Sequence, residues 1–402
     1  GGAVQTRTDT IIENLEFDSS QPLSQTSVRG THPHGNNISV INCRFDTVSC
    51  AMNTEFGVNG FLAQDNEAGM IGAYFIWAIG RDHTYLGNHA GNSANEHTIR
   101  LGNPSRVLIA HNDLRNTIKS TVWAMLGKWC YVANNTLRDG RVIVGPNFAQ
   151  GWAGDRFRNF VAESNEVLDE GFVIYPGAEH LTLRNNVIRA DGQDGISIWG
   201  WLGSMDRTVR DVNIYHNTII NESGQNGCFL RLGDGAEDIR VINNLYVAPW
   251  LNTHNNSANV FCSDDDLASH TFRNNLWALS STSNWVHFVA EDGVGQNQWN
   301  ALGQTQSEEY RDFVGGDLGG DYMPHFNPKH GQPLGGDRPR HASRSPLRRV
   351  RARQRDLLPA RDDSERALHL VRLRDDDRPV RDAVGGHGAR AAMPDRPGGA
   401  HR

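Results

Sequence analysis

The chain has 402 residues, 38% of them hydrophobic, with a mean hydropathy of −0.54, and no run of about 18 apolar residues occurs, which excludes a helical membrane span. Its net charge of −7 is unevenly held: Asp337 to Arg402 contains 17 Arg and 10 acidic residues, net +7, and the residues before it carry 22 basic and 36 acidic side chains, net −14. An acidic body argues against nonspecific binding to nucleic acid, so a polyanion would have to meet a local basic strip.

The chain opens on Gly-Gly without an initiator Met, so a signal peptide removed beforehand would leave no trace. Cys43, Cys50, Cys130, Cys228 and Cys262 are too few and too scattered for a disulfide scaffold, and none forms a CxxC pair. They are expected as buried thiols.

From the N-terminus one phrase returns: "DTIIENLEF", "ISVINCRF", "HTYLGNHA", "RVLIAHNDL", "CYVANNTL", "FVAESNEVL", "LTLRNNVI", "VNIYHNTII", "IRVINNLYV" and "HTFRNNLWA". Each is an alternating strand, a polar step, an Asn or its substitute, and another hydrophobe. The key position falls at Leu15, Cys43, Asn88, Asn112, Asn135, Asn165, Asn186, Asn217, Asn244 and Asn275, at intervals of 28, 45, 24, 23, 30, 21, 31, 27 and 31 residues. The shortest interval sets the size of one coil, longer ones add loops, and the interval of 45 has room for a further degenerate coil around "GVNGF". Period-two alternation predicts strands. An Asn recurring at one bend predicts a solenoid whose coils stack at about 4.8 Å and whose inward amides bond to the neighbouring coil.

These repeats resemble those of the right-handed parallel β-helix, pectin-lyase-like superfamily, over roughly residues 8 to 330. The phrase "GNHAGNSANEHTIRL", followed by "VLIAHNDL" and a Lys, is similar to secreted bacterial β-helix repeat proteins. The resemblance implies an all-β solenoid of about ten or more coils, spanning residues 1–332, in a secreted, periplasmic or cell-surface protein. That superfamily includes polysaccharide lyases, glycoside hydrolases, epimerases and non-catalytic spikes, so the fold leaves the chemistry open.

After Phe326 there is no Phe, Tyr or Trp. The Arg- and Pro-rich stretch 333–402 keeps neither a strand nor a helix period. It reads either as a basic disordered tail or as the product of a frameshift near Pro333.

Each coil also has an earlier strand about a dozen residues before the recurrent Asn: "EHTIRL", "TVWAML", "GRVIVG", "GFVIY", "GISIW", "CFLRL". With aliphatic parity inward, Ile99 and Leu101 stack against Val122 and Ala124. Glu96, Thr98 and Arg100 then share the outer face with Lys119, Thr121 and Trp123. Counting back from Asn112 and Asn135 sets Arg100 level with Trp123, and Glu96 level with Lys119, with Cα atoms about 5 Å apart. The same parity turns Arg141, Val173, Tyr175, Ser197, Trp199, Phe229 and Arg231 outward, and His97 inward as a core histidine. Cations interleaved with aromatics fit a saccharide groove, in which rings stack on sugars and Arg forks grip carboxylate or sulfate. The competing reading is a solvated face covered by the loops after Asn135 and Asn186, with Glu96 and Lys119 as a surface ion pair.

For a uronate lyase or epimerase, a proton beside a carboxylate must be removed, which needs a cation for that carboxylate and a base. Arg100 and Arg141 are the expected cations. Lys119 is the expected base if nearby Arg charges dominate its surroundings, and a poor one if Glu96 does. Glu96 and Tyr175 complete the catalytic candidates, with His97 in reserve, and Trp123, Trp199, Phe229 and Arg231 are the expected substrate-binding residues. The vWIDH and RxPxxR phrases of pectate lyases are absent. The Lys then Arg-His-Gly arrangement of chondroitinase-B-like and alginate lyases is matched only by Lys119 and "GRVIVGP". A glycoside hydrolase would need two carboxylates about 5 to 9.5 Å apart, and the NTD, paired Asp, GHG and RIK pattern of polygalacturonases is missing. Asp264, Asp265 and Asp266 read as a solvated turn or as a calcium site. The expected partner is an acidic polysaccharide or other glycan, acted on by a lyase or related uronate-modifying enzyme, by a hydrolase, or by a coil that only binds.

Overall fold

The computed structural model describes residues 4–19, 29–54, 58–146, 156–190, 192–199, 208–221, 227–233 and 235–248. Beyond these it describes the short segments 261–263, 270–279, 286–288, 291–294, 305–306, 309–312, 326–327 and 332–333. The described residues form an all-β parallel solenoid, with no helix among them. A complete coil has three strands, as in Ser120–Ala124, Gly127–Ala133 and Thr136–Arg138. Each pairs in parallel with its counterparts on the adjacent coils. The third face is a sheet of 12 strands, and the first and second faces are joined as one set of 23. They are joined because Ile71–Leu86 and Ile99–Ala110 run through the corner between the two faces.

The core is a stack of like residues. On the first face Ile99, Val122, Val142, Phe172, Ile196 and Leu230 lie in register on successive coils, all fully buried. Each such side chain contributes about 1.5–3 kcal/mol by leaving water.

At the bend before the third face stands an unbroken ladder of Asn66, Asn88, Asn112, Asn135, Asn165, Asn186, Asn217, Asn244 and Asn275, none more than 2% exposed. Asn135 shows the pattern. Its Oδ1 accepts the backbone N–H and the Nδ2 of Asn112, both at 2.9 Å, and its Nδ2 donates to the Ile109 carbonyl at 3.0 Å and to Asn165 Oδ1 at 2.9 Å. The amide is thereby satisfied on both its oxygen and its nitrogen. Asn66 belongs to the coil hidden in the 45-residue interval, whose second-face strand is Val58–Gln64. That coil is regular and has its own ladder amide.

The residue before each ladder Asn is left-handed, as at His111 (φ 57), Asn134 (φ 54), Asn185 (φ 55) and Asn243 (φ 56). Asn is tolerated there because its short polar side chain lowers the steric penalty. In the doublet "NN" the first Asn makes the bend and the second makes the ladder. A second left-handed row lies within the second face: Asp82, Arg106, Trp129, Asn159, His180, Asp211 and Asp238, with φ between 53 and 61. It inserts one residue into the alternation, so that Phe157 and Phe160 both point inward with Arg158 exposed between them.

Cys43, Cys50, Cys130 and Cys228 are buried thiols. No helix among the described residues is long and apolar enough to cross a membrane. Pro333 pairs with Phe326 in a short antiparallel ladder. Residues 334–402, nearly all of the predicted tail, lie outside the described residues, as do Asp264, Asp265 and Asp266.

Candidate active site

On the outer side of the first face, Trp77, Arg100 and Trp123 occupy one register position on three successive coils. The Arg100 guanidinium carbon lies 5.1 Å from each tryptophan ring and 5.7 Å from that of Tyr74. Its Nη1 donates to Tyr74 Oη at 2.6 Å and its Nε to Met125 Sδ at 3.1 Å. Arg100 is only 7% exposed, so it is caged under aromatics and supports Tyr74. Cation–π contacts at a desolvated site are worth about 2 kcal/mol. Arg100→Lys, which loses the planar fork and its stacking, is accordingly expected to lower unfolding stability by about 2 kcal/mol, read as a shift in urea midpoint at constant m-value.

Above this cage stands an ion pair. Lys119 Nζ donates to Glu96 Oε2 at 2.7 Å, with side chains 40% and 30% exposed. Asn116 joins the two turns that hold the pair: its Nδ2 donates to the Glu96 carbonyl at 2.7 Å, and its Oδ1 accepts the backbone N–H of Ile118 and of Lys119 at 2.8 Å. Ser93 Oγ accepts the Glu96 N–H at 3.0 Å. An exposed pair of this kind adds at most about 1 kcal/mol to stability, so folding gains little from it. Burial pushes the Tyr74 phenol up, Arg100 offsets part of that rise, and Glu96 adds to it. Tyr74 thus keeps its proton at neutral pH.

His97 departs from the sequence expectation. It is buried, but on the outer side of the sheet: its ring packs 4.6 Å from Trp123, its Nδ1 meets Ser120 Oγ at 2.5 Å, and its Nε2 is 3.7 Å from Glu96 Oε2. Period-two counting failed here because Glu96 and His97 precede the strand, which begins at Ile99. Burial, then Lys119 and Arg100, lower its pKa to about 3. His83, inside the coil, is lowered to about 4 by burial. Between these values and the ordinary 6.5 the unfolded chain binds protons that the folded chain does not, so stability falls as pH drops below about 6.5. Urea unfolding at about pH 7 and about pH 5 is expected to show this loss, and His97→Gln to reduce it.

Beyond Trp123 the face is apolar. Met125, Leu126, Ile143, Val173 and the half-buried Tyr175 pack with Trp123, and Trp123 Nε1 donates to the Gly145 carbonyl at 3.1 Å. Gly145, at φ +116, allows the close approach: a Cβ there would lie 2.9 Å from Tyr175 Cβ. Tyr175 meets Trp199 edge to face at 6.4 Å, and Trp199 is 41% exposed. From Trp123 to Trp199 is three coils, about 14 Å along the axis.

The other predicted cations are engaged by carboxylates. Arg141 Nε donates to Glu170 at 2.9 Å and its Nη2 to Gln193 at 3.4 Å. Arg231 Nε donates to Asp194 at 2.5 Å, which also accepts from Ser197 and Cys228. Burial raises Asp194, but Arg231 and Cys228 outweigh it and hold the carboxyl below its ordinary range. Phe229, expected outward, is instead fully buried, edge to face with Tyr246 at 5.8 Å. The strand begins only at Leu230, so alternation does not reach Phe229, and it cannot touch a substrate.

Sequence reasoning missed Tyr74, Trp77, Asn116, Ser120 and Met125. Counting one coil back from Arg100 would have found Trp77, 23 residues earlier. Among the described residues no group of three His, Cys, Asp or Glu side chains could hold a metal ion.

No protein-family model matches the chain, and no curated protein matches it. Two solved structures to which it is similar are A-modules of mannuronan C-5 epimerases from Azotobacter vinelandii. That of AlgE4 is 11% identical with a TM-score of 0.40, over 65% of this chain and 71% of that chain. That of AlgE6 is 11% identical with a TM-score of 0.43, over 77% of this chain and 91% of that chain.

Proposed function

We propose that the chain is an enzyme of acidic polysaccharides that removes the proton beside a uronate carboxylate. The reading is supported above all by the exposed Glu96–Lys119 pair, 2.7 Å apart, from which folding gains little and which stands on a buried layer of Tyr74, His97 and Arg100. In this mechanism the substrate carboxylate takes Lys119 from Glu96, and the ammonium neutralises the charge that develops as the adjacent C–H bond breaks. Glu96, released from its cation, accepts the proton, while the Tyr74 hydroxyl and neutral His97 steady it. The carbanion's electron pair then forms a double bond and expels the glycosidic oxygen, which recovers the proton from Glu96. Alternatively a water molecule delivers a proton to the carbanion from the other side of the ring, and the hydroxide left behind is neutralised by the proton that Glu96 releases. The first outcome is a lyase and the second an epimerase. Trp123 and Tyr175 wall the groove, and the exposed Trp199 offers a ring to a sugar farther along the axis. Such polymers lie outside cells, and we place the protein there.

A coil that binds glycan without turnover is the second reading, favoured by the engagement of Arg141 and Arg231 with Glu170 and Asp194. Incubation with alginate, pectate, heparinoid and chondroitin in heavy water separates the outcomes. Ultraviolet absorbance of an unsaturated product marks a lyase, and deuterium at C5 without chain cleavage marks an epimerase. Neither signal with any of the four polymers would rule out proton abstraction, and reducing ends without unsaturation would make the protein a hydrolase.

A further inference from the structure

We propose a second ligand site, on the second face of the solenoid, that binds the anionic substituents of a carboxylated or sulfated glycan. Lys128, Arg158, Glu179 and Arg210 lie in register on four successive coils, and Arg156 reaches the same point from just before the strand Phe157–Glu163. Glu179 is 1% exposed. Its Oε1 accepts from Arg158 Nε, and its Oε2 accepts from Arg156 Nη1 at 3.1 Å and from Arg210 Nε at 2.8 Å and Nη2 at 2.6 Å. Burial pushes the Glu179 carboxyl up, but Arg210 and Arg158 outweigh it and keep it ionised.

One carboxylate thus anchors three guanidinium groups, and with Glu237 in register beside Arg210 on the next coil the row keeps one positive charge in excess before Lys128 is counted. Lys128, exposed on the adjoining coil, has no ion-pair partner among the described residues. A structural need would be met by one arginine, since a buried carboxylate requires only its charge and lone pairs to be satisfied. Three forks pinned at one buried point, with most of their N–H donors lacking a partner among the described residues and Arg158 and Arg210 about half exposed, form a preorganised anion receptor. In a body of net −14 before Asp337, this is the local basic strip that a polyanion needs.

Trp129 supplies the second observation. It occupies the left-handed row, at φ 61, where the coil before has Arg106 and the coils after have Asn159, His180, Asp211 and Asp238. It is also 42% exposed. A bulky aromatic in this conformation costs about 1 kcal/mol or more, and burial does not repay it. Trp129 follows Lys128 in sequence and, by register, lies one coil from Asn159, which follows Arg158. An exposed indole on the coil adjoining a fixed Arg fork matches a sugar ring bearing an anionic group. The acidity of the body opposes the extended phosphate contact that nucleic acid would demand. This site shares no residue with the Glu96 site and does not depend on the catalytic reading.

The test is binding of the full chain to immobilised alginate and heparin, whose carboxylate and sulfate groups distinguish the two chemistries, with dextran and single-stranded DNA alongside. Trp129→Asn places in the row a residue that it already favours, so its unfolding midpoint is expected to hold or rise while binding weakens about tenfold. Lys128→Gln/Arg158→Gln is expected to weaken binding by a similar factor and to flatten its salt dependence. Arg44→Gln, which removes an exposed cation of the third face paired with Glu16, should bind as the unaltered chain does. The proposal is overturned if the unaltered chain binds neither anionic glycan, if both sets of variants bind unchanged, or if DNA binds as tightly. It is also overturned if Trp129→Asn merely dissolves a dimer without affecting glycan retention.

Discussion

Glu96→Gln is expected to reduce turnover on the responsive polyuronate by about 10²–10⁴-fold, the range that a positioned proton acceptor contributes. The substitution keeps the shape of the side chain and its ability to accept from Lys119, and removes the basicity. Since the exposed pair with Lys119 is worth at most about 1 kcal/mol, the unfolding midpoint should barely move. Initial rates measured beside a urea titration separate the two effects. A variant that turned over at the rate of the unaltered chain would remove Glu96 from the chemistry, and one that unfolded would show the pair to be structural.

Asn135→Ala is expected to cost about 4 kcal/mol. It leaves the Asn112 N–H and the Ile109 carbonyl without their partners in a buried place, and each orphaned group costs about 1–3 kcal/mol. The neighbouring Asn134→Gly should be close to neutral, because Asn134 serves by its left-handed backbone, φ 54, which glycine adopts freely. Urea midpoints of the two variants therefore assign separate work to the two asparagines of "ANNTL". Equal losses would refute the division.

The ladder was legible because its chemistry repeats: only a residue with both a donor and an acceptor can link coil to coil, so Asn recurs wherever the bend does. The registers of Arg100 with Trp123 and of Glu96 with Lys119 followed by counting from Asn112 and Asn135, which no loop insertion interrupts. Tyr74 and Trp77 stayed out of view although their coil closes on the recognised Asn88, because no earlier strand was assigned ahead of "EHTIRL". The engagement of Arg141 by Glu170 and of Arg231 by Asp194 spans 29 and 37 residues, across loops of unequal length that no period can bridge. Phe229 and His97 were misplaced for one reason: alternation describes strands, and both residues sit just before one begins. Parity carries no information past a strand end.

The ladder also governs how the molecule moves. Each amide is held by its own coil, by the one before and by the one after; Asn112, for instance, is tied to Tyr85 on one side and Asn135 on the other. No coil can open without stripping bonds from both neighbours, so local unfolding proceeds in blocks of three coils or more and amide exchange along the ladder is collective. The Glu96–Lys119 turns hang on coils tied in this way, and whatever mobility the groove has belongs to its side chains and loops.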